Sequence, residues 1–125
     1  MSLSLPLVAL LVPDYDAGIA FFTAIGFDLV TDEDQGRKRW VVVAPPGGGA
    51  SLLLARAEGP QAGAIGQQAG GRVGFFLHSR DFDADRAAII AAGGTFEEDP
   101  RNEPYGRVAV FSDPWDNRWD LIAPA

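Results

Sequence analysis

His78 is the only histidine and the chain has no cysteine, so few groups could trade a proton or hold a soft metal. Histidine is the one side chain whose ordinary pKa lets it take and return a proton near neutrality. Asp120 or another carboxylate, orienting it, would complete a general base needing no metal. Plainer readings compete with this one. His78 fits a strand-end histidine that is solvated or bonded to a loop carbonyl, and Asp120 fits a carboxylate paired with Arg118 or Arg107. Arg39 and Arg107 could clamp an anion, although arginines on a sheet more often pair with neighbouring acids. Trp115, placed in a turn, is the tryptophan best suited to touch a ligand or another subunit. Zero cysteines exclude disulfides, thiolate nucleophiles and cysteine-based zinc, haem or iron–sulfur sites.

The chain that must position these groups is 125 residues long, the size of one domain with one core. A hydrophobic fraction of 47% with 22% charged residues is that of a water-soluble globular protein. The net charge of −7 repels phosphate backbones and anionic membranes, so neither nucleic acid nor a membrane is an expected partner. That charge leans toward a cationic ligand, but spread over a surface it serves solubility first. No Lys or Arg precedes Arg37, and the apolar run 7–12 is too short to span a bilayer; a cytoplasmic location is expected.

Shifted by 67 positions, the chain meets itself. Asp14, Asp16, Ala17, Ala20, Ala24, Gly26 and Asp32 fall on Asp81, Asp83, Ala84, Ala87, Ala91, Gly93 and Asp99. Such an internal repeat signals a duplicated unit. Each copy reads as strand, helix and three strands. In the first copy the strands are 5–12, 27–31, 39–44 and 50–55, with a helix over 16–25. The second copy has strands over 72–79, 95–98, 107–111 and 118–122, with a helix over 83–92. Asp14 or Asp16 supplies an N-cap oxygen, and Gly26 and Gly93-Gly94 stop the helices. The glycine-rich 58–71 reads as a linker between a first module at about 5–56 and a second at about 72–123.

A doubled βαβββ module carrying V-P-D-Y-D-A near its start, R-D-F-D-A at the second helix and Y-G-R-V-A-V-F-S-D-P-W-D-N-R-W-D-L near its end resembles the vicinal oxygen chelate superfamily. Glyoxalase I, extradiol dioxygenases, fosfomycin-resistance enzymes and bleomycin-resistance proteins are members. The resemblance covers about 5–124 and implies an α+β fold, with curved mixed sheets around a central cavity and helices on the outer faces. It also implies a homodimer. Metal-dependent members take ligands from the first and last strands of each module, which here are Leu7, Leu53, Gly74 and Asp120. Three of these cannot ligate, whereas a divalent ion takes about three His or carboxylate side chains. No cofactor is therefore expected, a divalent metal being disfavoured, and a dioxygenase is not expected.

Side chains on one strand face recur every second residue, so Gly74 brings Phe76 and His78 to the cavity, Asp120 brings Arg118 and Ile122, and Leu7 brings Ala9 and Leu11. Tyr105, Arg107, Ala109 and Phe111 share a face whose direction the sequence leaves open. The ligand-binding set is then Leu7, Leu11, Leu53, Gly74, Phe76, Tyr105, Arg107, Trp115 and Arg118, with His78 and Asp120 as candidate catalytic groups. The implied function is small-molecule binding of the bleomycin-resistance kind. The alternative is a glyoxalase-like lyase or isomerase, with or without a weakly held divalent ion. An interaction module without ligand is a third reading.

Overall fold

Two aspartates start the two helices. In the computed structural model, which describes residues 1–125, the Asp14 carboxylate accepts the Ala17 N–H at 3.0 Å and caps α1 (Tyr15–Ala24). Asp81 accepts the Ala84 N–H at 3.3 Å and caps α2 (Phe82–Ala91). Each supplies a partner that the first helical turn lacks. Gly26 and Gly93 follow the helices with φ of +107° and +108°, a left-handed conformation that glycine adopts without a Cβ clash.

Two units, Met1–Gly63 and Ala64–Ala125, carry one helix and one sheet each. The first holds β1 (Leu7–Val12), β2 (Asp28–Asp34), β3 (Arg39–Ala44) and β4 (Ser51–Arg56), ordered β1-β4-β3-β2. The second holds β5 (Val73–His78), β6 (Thr95–Phe96), β7 (Arg101–Glu103), β8 (Gly106–Ser112) and β9 (Arg118–Pro124). Its order is β5-β9-β8-β6, with β7 also on β8. In both sheets the first strand lies parallel to the last and the other pairings are antiparallel. The fold is α+β, built from two βαβββ-type modules as the sequence predicts.

Alternation along the strands decides which face each helix covers. In the first unit Leu10, Val12, Val41, Val43, Leu52 and Leu54 are buried beneath α1, which packs on all four strands. A Cβ on Gly18 of α1 would sit 2.9 Å from the Leu54 Cδ1, so glycine permits this close approach. In the second unit Phe75 stacks on Trp119 at 4.5 Å and Phe111 on Trp119 at 5.9 Å. Arg107 shares this face with Ala109 and Phe111 and lies over the α2 ring Phe82 at 4.6 Å. The face whose direction the sequence left open is thus the helix-covered one.

Two local features depart from the sequence reading, and a third concerns strand pairing, on which that reading made no statement. The strand expected at 95–98 is only Thr95–Phe96, and a second short strand, β7, pairs with the same β8. Between them the Glu98 carboxylate takes the Val110 N–H at 3.1 Å, and Pro100 has no N–H to donate. A 3₁₀ segment, Gly59–Ala64, occupies part of the stretch read as linker. Lastly, β3 and β4 pair only from Val41↔Leu54 to Val43↔Leu52. One register step further, Trp40 would face Ala55, and another would set Arg39 against Arg56; like charges directly opposite weaken a ladder by about 0.2–1 kcal/mol. The strands part there. β3 stays with β2 through Trp40 and Arg39, and β4 stays with β1 through Ala55 and Arg56.

Candidate functional site

On the second sheet the parallel register sets Phe76 beside Asp120 and His78 beside Ile122. The antiparallel register of β8 sets Val110 and Val108 on their other side. Phe76, Asp120 and Val110 therefore form one row of the face that carries no helix, with His78, Ile122 and Val108 forming the next. Phe76 is 58% exposed, far above the few per cent of Phe111 and Trp119 on the opposite face.

Asp120 is the chemically unusual member. Its Oδ1 is buried and accepts no hydrogen bond. Burial pushes its pKa up; Arg101 opposes this, Glu98 adds to it, and Arg118 opposes it further. Neither arginine pairs with it. Arg118 holds Glu97 with its Nε and Nη2, both at 2.9 Å, and donates to the Gly71 carbonyl at 3.2 Å. Arg101 donates to Glu98 at 2.6 Å and to Glu103 at 3.0 Å. Arg107 pairs with Asp83 at 3.1 Å over the Phe82 ring. An unpartnered buried acceptor costs about 1–3 kcal/mol, so this face retains a group that a ligand could satisfy.

His78 is exposed, at the end of β5, two strand positions from the level of Asp120 on the neighbouring strand. Strand spacing and rise place such a diagonal pair about 8 Å apart, beyond direct hydrogen bonding but wide enough for a small molecule between them. Gly74 lies at the register shift between Val73 and Phe75, where a Cβ would come 2.8 Å from the Ala69 Cβ. Tyr105 is 53% exposed in the turn between β7 and β8.

Trp115 belongs to a turn organised by Asp113. That carboxylate accepts the Trp115 N–H at 3.0 Å, the Asn117 N–H at 3.0 Å, the Asn117 Nδ2 at 2.9 Å and the Trp119 Nε1 at 3.1 Å. Leu7, Leu11 and Leu53 lie in the other unit, on the helix-free face of the first sheet, with Ala9 beside Leu53. Along β1 and β4 that face is apolar except for Ser51, opposite Leu7. The reading from sequence missed Glu98 and Arg101, which set the field at Asp120. Their only signal was the alternation of acids and a base over 97–103.

The residues present do not suit the divalent ion that metal-dependent relatives bind. Leu7, Leu53 and Gly74 bear no donor, and no three His, Asp or Glu side chains gather closely enough to hold a metal. No helix is long and apolar enough to cross a membrane.

These features define a two-module α+β protein whose sheets each leave one face without a helix. Residues 4–121 match the Glyoxalase/Bleomycin resistance protein/Dioxygenase superfamily, and the chain belongs to that superfamily. An uncharacterised protein of Shewanella frigidimarina is 48% identical over 98% of this chain and 94% of its own length. Among solved structures, TnmS3, an antibiotic-binding protein from Streptomyces sp. CB03234, is 34% identical, with a TM-score of 0.77 over 100% of this chain and 99% of its own. A glyoxalase/bleomycin resistance protein from the same Streptomyces is 33% identical, with a TM-score of 0.71 over 95% of this chain and 99% of its own.

Proposed function

We propose that this protein binds a small, flat, partly apolar molecule bearing a hydrogen-bond donor or a positive charge against the helix-free face of its second sheet, without a tightly held metal ion. The observation that carries the reading is the unpartnered, buried Asp120 oxygen in one row with an exposed phenylalanine. Phe76 offers a stacking surface, Ile122 and Val110 an apolar floor, and Asp120 the polar group that fixes orientation, the usual composition of a small-molecule site. The antibiotic-binding role of TnmS3 supports the same reading for this chain. We place the protein in the cytoplasm as a homodimer; light scattering at micromolar concentration tests the second point.

The test is titration with 9-aminoacridine, a flat aromatic cation at neutral pH, followed by its fluorescence. Saturable binding is expected, weakened about tenfold or more in Asp120→Asn, since hydrogen bonds to charged groups are worth about 1.5–3 kcal/mol. Binding indifferent to both Asp120→Asn and Phe76→Ala sinks the proposal. Elemental analysis of purified protein tests the other half: stoichiometric zinc, nickel, manganese or iron overturns the metal-free reading.

The second reading is a glyoxalase-like lyase or isomerase. It is favoured by the placement of His78 and Asp120 on one face, separated by the width of a small substrate. In that case His78 moves the proton and Asp120 orients the substrate. Turnover of an α-hydroxy or α-oxo thioester or epoxide that survives in His78→Ala removes this reading.

A further inference from the structure

The parting of β3 and β4 leaves a cleft of about 220 Å³ that lies wholly within the first unit. Tyr15, the first residue of α1, stands at its helix side with the Arg39 and Arg56 guanidinium groups over its ring at 5.3 and 5.4 Å. Trp40, Leu53 and Ala55, whose side chains alternate to the helix-free side, also line it. Nothing in the binding face on β5 and β9 enters it.

The residues lining this cleft include three cations, Lys38, Arg39 and Arg56, and one carboxylate, Glu58. Arg39 is neutralised: it donates to Asp32 at 3.1 and 2.8 Å and to Asp16 at 2.9 Å. Arg56 is held only by Glu58, at 3.5 Å, with both side chains well exposed. The Lys38 ammonium has no acidic partner. Gln61 accepts the Glu58 N–H with its Oε1 at 3.0 Å, which leaves its amide hydrogens free to donate. An aromatic wall, an apolar floor, the Lys38 ammonium and the loosely held Arg56 in a protein of net charge −7 make a local site for a flat anion. At about 220 Å³ the cleft is smaller than the roughly 300–1,000 Å³ of drug-sized sites, which limits the occupant to one or two rings.

We propose that the cleft between β3 and β4 is a second binding site, for a small planar aromatic carboxylate whose ring lies against Trp40 and whose acid group meets Lys38 and Arg56. The equivalent place in the second unit is closed, because Ala123 stands where Arg56 stands in the first and Arg107↔Ala123 pairs normally. The site is therefore a property of one half only. It does not depend on Asp120, and the reading of the β5–β9 face can fail while this one holds.

The test is backbone and indole NMR of the full chain during titration with 2-naphthoate. The Trp40 indole and the Ala55 and Gln61 amides are expected to shift on saturation, while 2-naphthylmethylammonium, matched in shape and opposite in charge, leaves them in place. Lys38→Gln, an exposed change that leaves the fold intact, should weaken 2-naphthoate about tenfold, and Asp120→Asn should leave its affinity unchanged. Equal binding of the cation, unchanged affinity in Lys38→Gln, or shifts confined to β5 and β9 would each overturn the assignment.

Discussion

The two halves of this protein share a plan, and beyond the extra strand β7 of the second they differ in three places, each difference traceable to a few residues. Both start their helix with an aspartate cap and both lay an arginine of the next-to-last strand over the first aromatic of the helix. Arg39 lies over Tyr15 and pairs with Asp16 at 2.9 Å; Arg107 lies over Phe82 and pairs with Asp83 at 3.1 Å. Arginines that could have clamped an anion are thus duplicated struts between helix and sheet. The differences lie elsewhere: Leu53 against Asp120 on the helix-free face, Arg56 against Ala123 at the ladder's end, and a proline-glycine turn at 45–49 against the Asp113 turn. What the halves keep in common holds the fold, and what they do not is where ligand chemistry can lie.

The largest expected effect separates the two turns. Asp113 is buried and satisfies four donors, although burial still pushes its pKa up against those bonds. Asp113→Ala strands the Trp119 indole N–H and the Asn117 donors, and should cost about 3–4 kcal/mol in urea unfolding. Pro45→Ala, at the matching turn of the first half, should cost less than about 1 kcal/mol. Equal costs would mean that the turns are interchangeable.

Next in size is the exchange that makes the second sheet resemble the first. Asp120→Leu installs the residue found at the equivalent Leu53 and removes the unpartnered acceptor. It should raise stability by about 1–2 kcal/mol while abolishing 9-aminoacridine binding. The gain depends on pH. Because the folded-state pKa of Asp120 is raised above 3.8, the native state binds more protons than the unfolded one in the window above 3.8, and native stability falls as pH rises through it. The advantage of Asp120→Leu should accordingly be smallest below pH 3.8 and grow above it. The opposite slope would mean that Asp120 is paired. A smaller, symmetrical effect is expected at the caps: Asp14→Ala and Asp81→Ala should each cost about 1 kcal/mol, and similarly, if the two helix starts are equivalent.

The parts legible in the sequence were those written locally. The caps at Asp14 and Asp81, the stops at Gly26 and Gly93, and the alternation in β5 and β9 are properties of a few consecutive residues. They placed Phe76 and His78 on one strand face without coordinates, whereas Gly74 sits at the register shift between Val73 and Phe75. What was not legible depends on which strand meets which. One of the two readings of Asp120 paired it with Arg118 or Arg107, but Arg118 reaches Glu97 across the sheet and Arg107 points to the helix, choices that no spacing encodes. The split of β6 from β7 hangs on one carboxylate, Glu98, bonding a backbone N–H twelve residues away. The gap between β3 and β4 is likewise a matter of register: Arg39 and Arg56 are unremarkable until the ladder aligns them.

The register of β3 against β4 sets the smallest effect and the sharpest comparison. If the repulsion of Arg39 and Arg56 parts β3 from β4, then Arg56→Ala reproduces the Arg107↔Ala123 situation of the second half and lets the ladder close through Trp40 and Ala55. Global stability should move by less than about 0.5 kcal/mol, since the loosely held Glu58 pair contributes little and the new pairing offsets the lost contact with Tyr15. Local protection should change more: the Trp40 and Ala55 amides are expected to exchange with solvent about tenfold more slowly, approaching those of their counterparts Val108 and Ile122. Arg56→Lys keeps the charge and should keep the gap. Unchanged exchange in Arg56→Ala would place the cause of the gap in the Tyr15 ring instead, and Tyr15→Ala would then be the variant that closes it.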